Sequence, residues 1–355
     1  MIKILNLATR LGNFSFGLGA PFMIAEIGVN HEGNIDNAYK MIDECKKNNI
    51  TAVKFQTYKA EKIAAVNSKA YWDTNFESST SQFKLFKKYD NFNESDYEKI
   101  ANYCYKKNII FMSTAFDHDS AIYINNHVDI HKISSSDITN IPLIRLIAGF
   151  GKPIILSTGA SSIDEIDKAV KLIKSINFNT LCLLHCVLKY PTVSKDAFLD
   201  RIPLLGKRFI DCVPGYSDHT LPKNNLLALQ IAHSMGAIVI EKHYTFDKSL
   251  PGNDHYHAFN STDSHDLMDN FKLVGELCGS ENKFNLNSQD KAILNARRGI
   301  YIKSNILKGN FLTEKNLIAL RPASEIKVEE WDNVIGKRVK KDLIAGKSLQ
   351  KSDYE

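Results

Sequence analysis

The feature that most constrains this chain is a repeated alternation. Short runs rich in apolar and β-branched residues are each followed by a stretch whose apolar positions recur with helical spacing. The strand candidates lie at 21–28 (PFMIAEIG), 52–57 (AVKFQT), 109–114 (IIFMST), 129–134 (DIHKIS), 153–158 (PIILST), 180–186 (TLCLLHC), 210–217 (IDCVPGYS) and 237–243 (AIVIEKH). Helix-like segments separate them, for example 35–48, 95–107, 161–175 and 222–235. Start signals support these: in Ser161-Ser162-Ile163-Asp164-Glu165 a serine precedes the apolar run and a carboxylate follows within the first turn. Eight such units in series predict a closed (β/α)8 TIM barrel. A doubly wound open sheet is the rival, disfavoured because no glycine-rich phosphate loop follows the first strand.

With 355 residues the chain is long enough for such a barrel and a smaller second domain. The texture changes after residue 280, where ENKFNLNSQDK is polar and reads as a linker. Short strand-like runs with glycine turns follow. Leu307-Lys308-Gly309-Asn310-Phe311-Leu312 is echoed by Ile344-Ala345-Gly346-Lys347-Ser348-Leu349, so two similar half-units are expected. The expected organisation is a barrel over 1–283, a linker over 284–295 and a small β-rich domain over 296–355. Within the barrel the longest connection, roughly 59–94, carries Tyr71, Trp72, Phe76, Phe83 and Phe86. Such a loop serves either as a wall or lid of a site or as an excursion packed on the barrel.

Polar residues cluster where the strand candidates end, the end of a barrel strand that carries chemistry. Glu26 ends the first, Lys54 with Gln56 the second, Thr114 the third and Lys132 with Ser135 the fourth. Ser157 with Thr158 ends the fifth, His185 the sixth, Ser217-Asp218-His219 the seventh and Glu241-Lys242-His243 the eighth. A buried unpaired charge is costly, so one such residue would suggest a structural ion pair, whereas this many point to a polar ligand. Lys54 and Lys132, with the hydroxyls of Thr114, Ser135, Ser157 and Ser217, form a candidate anion cage. Taken singly the serines are ordinary turn residues; with both lysines the cage is favoured. His219 and His243 end neighbouring strands and are candidates for a shared divalent metal with open positions.

The bulk properties exclude other classes. A net charge of +5 is mild and its Lys and Arg are scattered, with no basic arm of the kind that binds nucleic acid. The apolar runs fall short of the ~20 residues of a membrane span, and the N-terminus MIKILNLATRLGNF reads as mature sequence rather than a signal peptide. Six cysteines without a CxxC pair suggest free thiols and a cytoplasmic location.

At these motifs the chain resembles the sialic acid synthase family, from about residue 20 to the C-terminus. The resemblance rests on IAEIGVNHEGNIDNAYKMI, AVKFQT, KISSSDITNIPLI, ILSTGASSIDEI, LLHCVLKYPT, GYSDHT and IEKHYTFDK, then on ARRGIYI and the small domain, which is similar to the antifreeze-like (SAF) domain. It implies a barrel that takes phosphoenolpyruvate and an open-chain amino sugar, and a divalent metal, usually Mn²⁺ with Mg²⁺ or Co²⁺ as substitutes, on the histidines matching His219 and His243. Lys54, Thr114, Lys132, Ser135, Ser157, Tyr190 and Ser217 fall on phosphoenolpyruvate positions. Gln56, Asp137, Asp254 and Arg298 fall on the sugar side, and Glu26 matches the carboxylate of the first strand. It further implies a domain-swapped homodimer in which Arg298 reaches the partner's site. The chain departs from the family at Leu188, where Asn is usual, at Ser136-Asp137 in place of Gly-Glu, and in the segment GNDHYHAF. Two alternatives stand beside this reading: a related aldulosonate synthase using a different or phosphorylated aldose, and a carbohydrate-binding protein without catalysis.

Overall fold

The computed structural model describes residues 20–252, 254–278 and 289–355. Eight parallel strands close into a barrel in sequence order, each hydrogen-bonded to the next and the eighth to the first. They are β1 (Phe22–Gly28), β2 (Ala52–Thr57), β3 (Ile110–Ala115), β4 (His131–Ile133), β5 (Ile154–Ser157), β6 (Leu181–His185), β7 (Val213–Asp218) and β8 (Val239–His243). The expected (β/α)8 barrel is the fold. One boundary differs appreciably: β7 begins at Val213, not at residue 210, and Ile210 is 75% exposed. Its apolar side chain sits ahead of the sheet, after the helix Arg201–Arg208.

Side chains of a strand alternate between the two faces of the sheet, and this alternation divides the core in two. Phe22, Ile24, Ala52, Met112, Ile130, Ile155, Cys182, Leu184, Val213 and Val239 fill the lower barrel interior. Their neighbours, such as Met23, Ala25, Val53, Phe111, Ile154, Leu183 and Ile240, pack outward against the helices. Helix entry follows the sequence signals. Ser162 caps the helix Ile163–Ile176 in a reciprocal box with Glu165, and Asn34 caps Ile35–Lys47. Buried Ile166, Ala169, Val170 and Ile173 give the first of these its sheet-facing stripe.

The chain divides into two compact units, Met1–Gly279 and Ser280–Glu355. In the second, β9 (Gly299–Ile302) pairs antiparallel with β10 (Leu317–Leu320). The echoed sequence motifs are structural counterparts: Gly309 (φ 88°) and Gly346 (φ 85°) both turn in the left-handed region, and Leu312 and Leu349 are both fully buried. Together with Ile300, Ile302, Leu317 and Val339 they form this unit's own core. A short helix, Asp290–Ala296, occupies part of the stretch expected as linker. Residues 284–288 of that stretch, and the N-terminal segment read as mature sequence, lie outside the described residues. Among the described residues no helix is long and apolar enough to cross a membrane. Cys45, Cys104, Cys182 and Cys186 are buried free thiols.

Candidate active site

The same two-residue period that builds the inner core also builds the site. One step beyond the apolar layer, the inward positions become Glu26, Lys54, Thr114, Lys132, Ser157, Cys186, Ser217 and Glu241. They form the floor of a cavity of about 430 Å³ at the C-terminal ends of the strands. Sheet register sets the neighbours: Glu26 pairs with Lys54 and with His243, Thr114 with Lys132, and Ser217 with Glu241.

The floor is an ionic lattice. Lys54 Nζ lies 2.5 Å from Glu26 Oε2 and 3.8 Å from Glu241 Oε2, and donates to Thr114 Oγ1 at 2.9 Å. Lys132 Nζ lies 3.5 Å from Glu241 Oε1, which also accepts from Ser217 Oγ at 3.0 Å. Burial works against the charge of Lys54, but Glu241 and Glu26 outweigh it and hold its pKa above the ordinary value. For Lys132 burial wins over Glu241, and its pKa is lowered. Burial raises the carboxyl of Glu26 against the pull of Lys54, with Glu241 adding to the rise. Glu241 resists its burial through the two lysines and stays below the usual carboxylate value. One donor is left over: the buried hydroxyl of Ser157 has no hydrogen-bond partner among the described residues. Buried polar groups are rarely left unpaired, so this cavity-lining hydroxyl is free to donate to an acceptor in the cavity.

Two glycines permit the close approaches around this floor. A methyl group at Gly28 (φ 56°) would sit 3.0 Å from Gln56 Nε2 and 3.1 Å from Glu26 Oε1, the two atoms that hydrogen-bond at 2.9 Å. At Gly159 a methyl group would meet Cys186 Sγ at 2.7 Å and Ser135 Oγ at 3.1 Å. Neither position has room for a side chain.

Imidazoles gather on the β7–β8 side. The ring centroids of His219 and His243 are 5.7 Å apart. His219 Nδ1 donates to the Val187 carbonyl at 2.7 Å, which fixes the tautomer and leaves Nε2 as the basic nitrogen. Burial lowers its pKa to about 4. Burial, with His257 and His219 nearby, drives His243 well below its ordinary value. Neutral, buried, oriented imidazoles are the donor form that a divalent cation requires. The ligand atoms of His243, Asp254 and His257 lie within 4.8 Å of one another. Tyr190 packs on His219 with centroids 4.2 Å apart. Asn30 anchors the Asp254 segment, donating to the carbonyls of Tyr244 at 2.8 Å and Asp254 at 3.1 Å.

The connection 59–94 is a wall of the cavity. It contains the helices Ala60–Ile63 and Gln82–Tyr89 and presents Tyr71, Trp72, Leu85 and Phe86 to the cavity. Trp72 is pinned by its Nε1–H to the carbonyls of Glu77 and Ser79, and Phe76 stacks on Tyr256 at 4.0 Å.

The cavity thus collects Glu26, Lys54, Gln56, Thr114, Lys132 and Ser135 with Asp137, Ser157, Tyr190, Ser217, His219, His243 and Asp254. Asp137 accepts from Asn140 at 3.0 Å, and burial raises its pKa. Arg298 is exposed on the C-terminal unit, ahead of β9. Three strand-end residues face away. His185 donates through Nε2 to the Ala197 carbonyl at 2.7 Å and stacks on Tyr216. Asp218 and Lys242 form a buried outward pair at 2.6 Å, where Lys242 also donates to the Thr220 carbonyl and so braces the turn after His219. Glu241 and His257 had no role read from sequence; Glu241 had the signal, being an inward neighbour of His243 at a two-residue step.

The NeuB family model matches residues 41–283, and the SAF domain model matches 297–355. An uncharacterised protein of Methanocaldococcus jannaschii is 36% identical over 94% of each chain. The N,N'-diacetyllegionaminic acid synthase of Legionella pneumophila is 34% identical, covering 92% of this chain and 93% of its own. Among solved structures, an N-acetylneuraminic acid synthetase from Leptospira borgpetersenii, in complex with citrate, superposes with a TM-score of 0.68 at 32% identity, covering 78% of this chain and 91% of that one.

Proposed function

Because the chain belongs to the NeuB family and is a sialic acid synthase-type enzyme, we propose that it condenses phosphoenolpyruvate with an open-chain N-acetylated amino sugar and water. The acceptor is N-acetylmannosamine or a diacetamido-trideoxyhexose; the products are a nine-carbon 2-keto-3-deoxy sugar acid and phosphate. The observation that carries this reading is the floor: two buried lysines sharing Glu241, in one cavity with the Ser157 hydroxyl, which has no hydrogen-bond partner among the described residues.

In this reading Lys54 and Lys132 hold carboxylate and phosphate, with Thr114, Ser135, Ser157, Ser217 and Tyr190 completing the contacts. The methylene carbon of phosphoenolpyruvate bonds to the aldehyde carbon, water adds to the electron-poor C2, and the adduct expels phosphate. Glu26, with its raised pKa and its contacts to Lys54 and Gln56, steers that water or takes its proton. A divalent cation on His219 and His243, Mn²⁺ by family resemblance, supplies Lewis acidity toward the aldehyde. Gln56, Asp137 and Asp254 orient the sugar beneath the aromatic wall, and Arg298 of a second copy reaches it in a domain-swapped dimer. The described residues lining the cavity include no arginine, which favours an unphosphorylated acceptor. The Legionella and Leptospira relatives have names that imply different sugars at nearly equal identity, so similarity alone does not choose between the two acceptors.

The test is phosphate release from phosphoenolpyruvate with Mn²⁺ over a panel of free and phosphorylated amino sugars. Release that depends on one unphosphorylated sugar, and that is abolished in His219→Ala, supports the reading. Release only with a phosphorylated aldose, or none with any sugar, refutes it.

A further inference from the structure

A third imidazole stands at the proposed metal site. His257 lies in the segment that returns along the end of β8: Phe259 N–H donates to the His243 carbonyl at 2.8 Å and Thr245 N–H to the Phe259 carbonyl at 2.9 Å. Its neighbours are engaged elsewhere. His255 Nδ1 meets Thr245 Oγ1 at 2.8 Å, and Tyr256 is stacked under Phe76. His257 lies beside His243, and its side chain is fully buried.

Two imidazoles on one cation, with metal–nitrogen bonds of about 2.1 Å, place their ring centres roughly 4.5–6.5 Å apart, depending on the angle between them. By ring spacing all three histidine pairs fall in this range, while the ligand atoms gathered within 4.8 Å of one another are those of His243, Asp254 and His257. His243 and His257 are 4.8 Å apart, His219 and His243 5.7 Å, and His219 and His257 6.2 Å. Asp254 adds a carboxylate oxygen within 4.8 Å of the His243 and His257 ligand atoms.

We propose that His257 is a third imidazole ligand of the cation, alongside His219 and His243, with Asp254 as an oxygen donor. This rests on the metal reading above and goes beyond its two-histidine site. A donor set of three imidazoles and one carboxylate binds later first-row ions, Co²⁺ and Zn²⁺, more tightly than Mg²⁺. It also lets the ion bind before either substrate, because the protein alone supplies most of its coordination. The position is legible in the sequence as part of a departing segment, the second histidine of GNDHYHAF.

The full chain, loaded with Mn²⁺ and without substrates, is examined by pulsed EPR for nitrogen couplings, and Co²⁺ affinity is measured by equilibrium dialysis. Three imidazole couplings are expected in the unmodified protein and two in His257→Ala, with Co²⁺ binding weakened at least ~10-fold. Two couplings in the unmodified protein, or His257→Ala binding Co²⁺ within about twofold of it, overturns the assignment of His257. If His219→Ala abolishes binding in that case, the two-histidine site survives alone. No uptake of either ion by the unmodified protein overturns both. Should His257→Ala fail to fold, the coupling count in the unmodified protein and the affinity of His257→Gln decide.

Discussion

Glu241 is the hinge of the floor's electrostatics, and Glu241→Gln isolates its charge while preserving its shape. The two contacts of 3.5 and 3.8 Å each correspond to roughly 4–5 kcal/mol of attraction at an effective dielectric constant of about 20. Desolvation of the three buried charges opposes most of that sum. The net loss on removing one partner of a buried pair is about 3–5 kcal/mol, because a charge is left behind. Lys54 retains Glu26 at 2.5 Å; Lys132 loses its only ion-pair partner among the described residues. Lys132 already has a lowered pKa, so it can shed its proton, which places the cost at the lower end, about 3 kcal/mol.

For a unit of this size that predicts a fall in Tm of roughly 6–12 °C, read by scanning calorimetry near neutral pH. Two further signs follow. A lysine whose folded pKa is depressed contributes stability that is present above its unfolded pKa and is lost as pH falls through its folded pKa, so the deficit of Glu241→Gln should shrink as pH rises toward 10.5, the ordinary lysine value. A multivalent anion should replace the missing carboxylate between the lysines, so inorganic phosphate or phosphoenolpyruvate should raise the Tm of the variant more than that of the unmodified protein. A variant within about 1 kcal/mol of the unmodified protein, with the same anion-induced shift, would refute the shared-carboxylate account of the floor.

Glu26→Gln should bind phosphoenolpyruvate with little change yet turn over at least ~100-fold more slowly; single-turnover kinetics showing unchanged chemistry would reduce Glu26 to an ordering partner of Lys54. Acid should destabilise the fold through His31 and His131, which burial lowers to about 4 from 6.5. The sign is that of a depressed base: the stability is present above pH 6.5 and lost on descent through about 4, amounting to about 2 kcal/mol per histidine by pH 5. Melting at pH 7.5 and 5 checks this, since His131→Gln should show a smaller difference between the two than the unmodified protein; an equal difference would exclude His131 as a contributor.

The barrel was legible because its pattern is long and redundant. Eight apolar runs with helical stretches between them fit few other folds, and an error such as starting β7 at residue 210 does not disturb the count. The convergence of the two lysines was legible for a related reason: Lys54 and Lys132 are buried charges inside otherwise apolar runs, and the fold brings both to one floor. The outward role of His185 was not read, although it was recoverable. Leu181 and Leu183 pack outward and Cys182 and Leu184 inward, so position 185 must face the helices and position 186 the cavity. The same parity separates the consecutive Glu241-Lys242-His243 into two site residues and one structural cation.

Parity needs a register to count from, and that limits what sequence could give at His257. The residue lies beyond the last barrel strand, in a segment whose direction is set by the return hydrogen bonds to His243 and Thr245 and by the stacking of Tyr256 on Phe76. His243, Thr245 and Phe76 are brought to this segment only by the fold. Glu26 and Lys54 could be placed from their own strands, whereas His257 is placed by contacts made after the barrel has closed. The floor proposed as catalytic is encoded by strand period and the rim proposed to hold metal by loop packing, so the two respond differently to substitution. Changes in the loop 59–94 that remove the Phe76 contact should disturb the geometry around His257 while leaving the lysine floor intact.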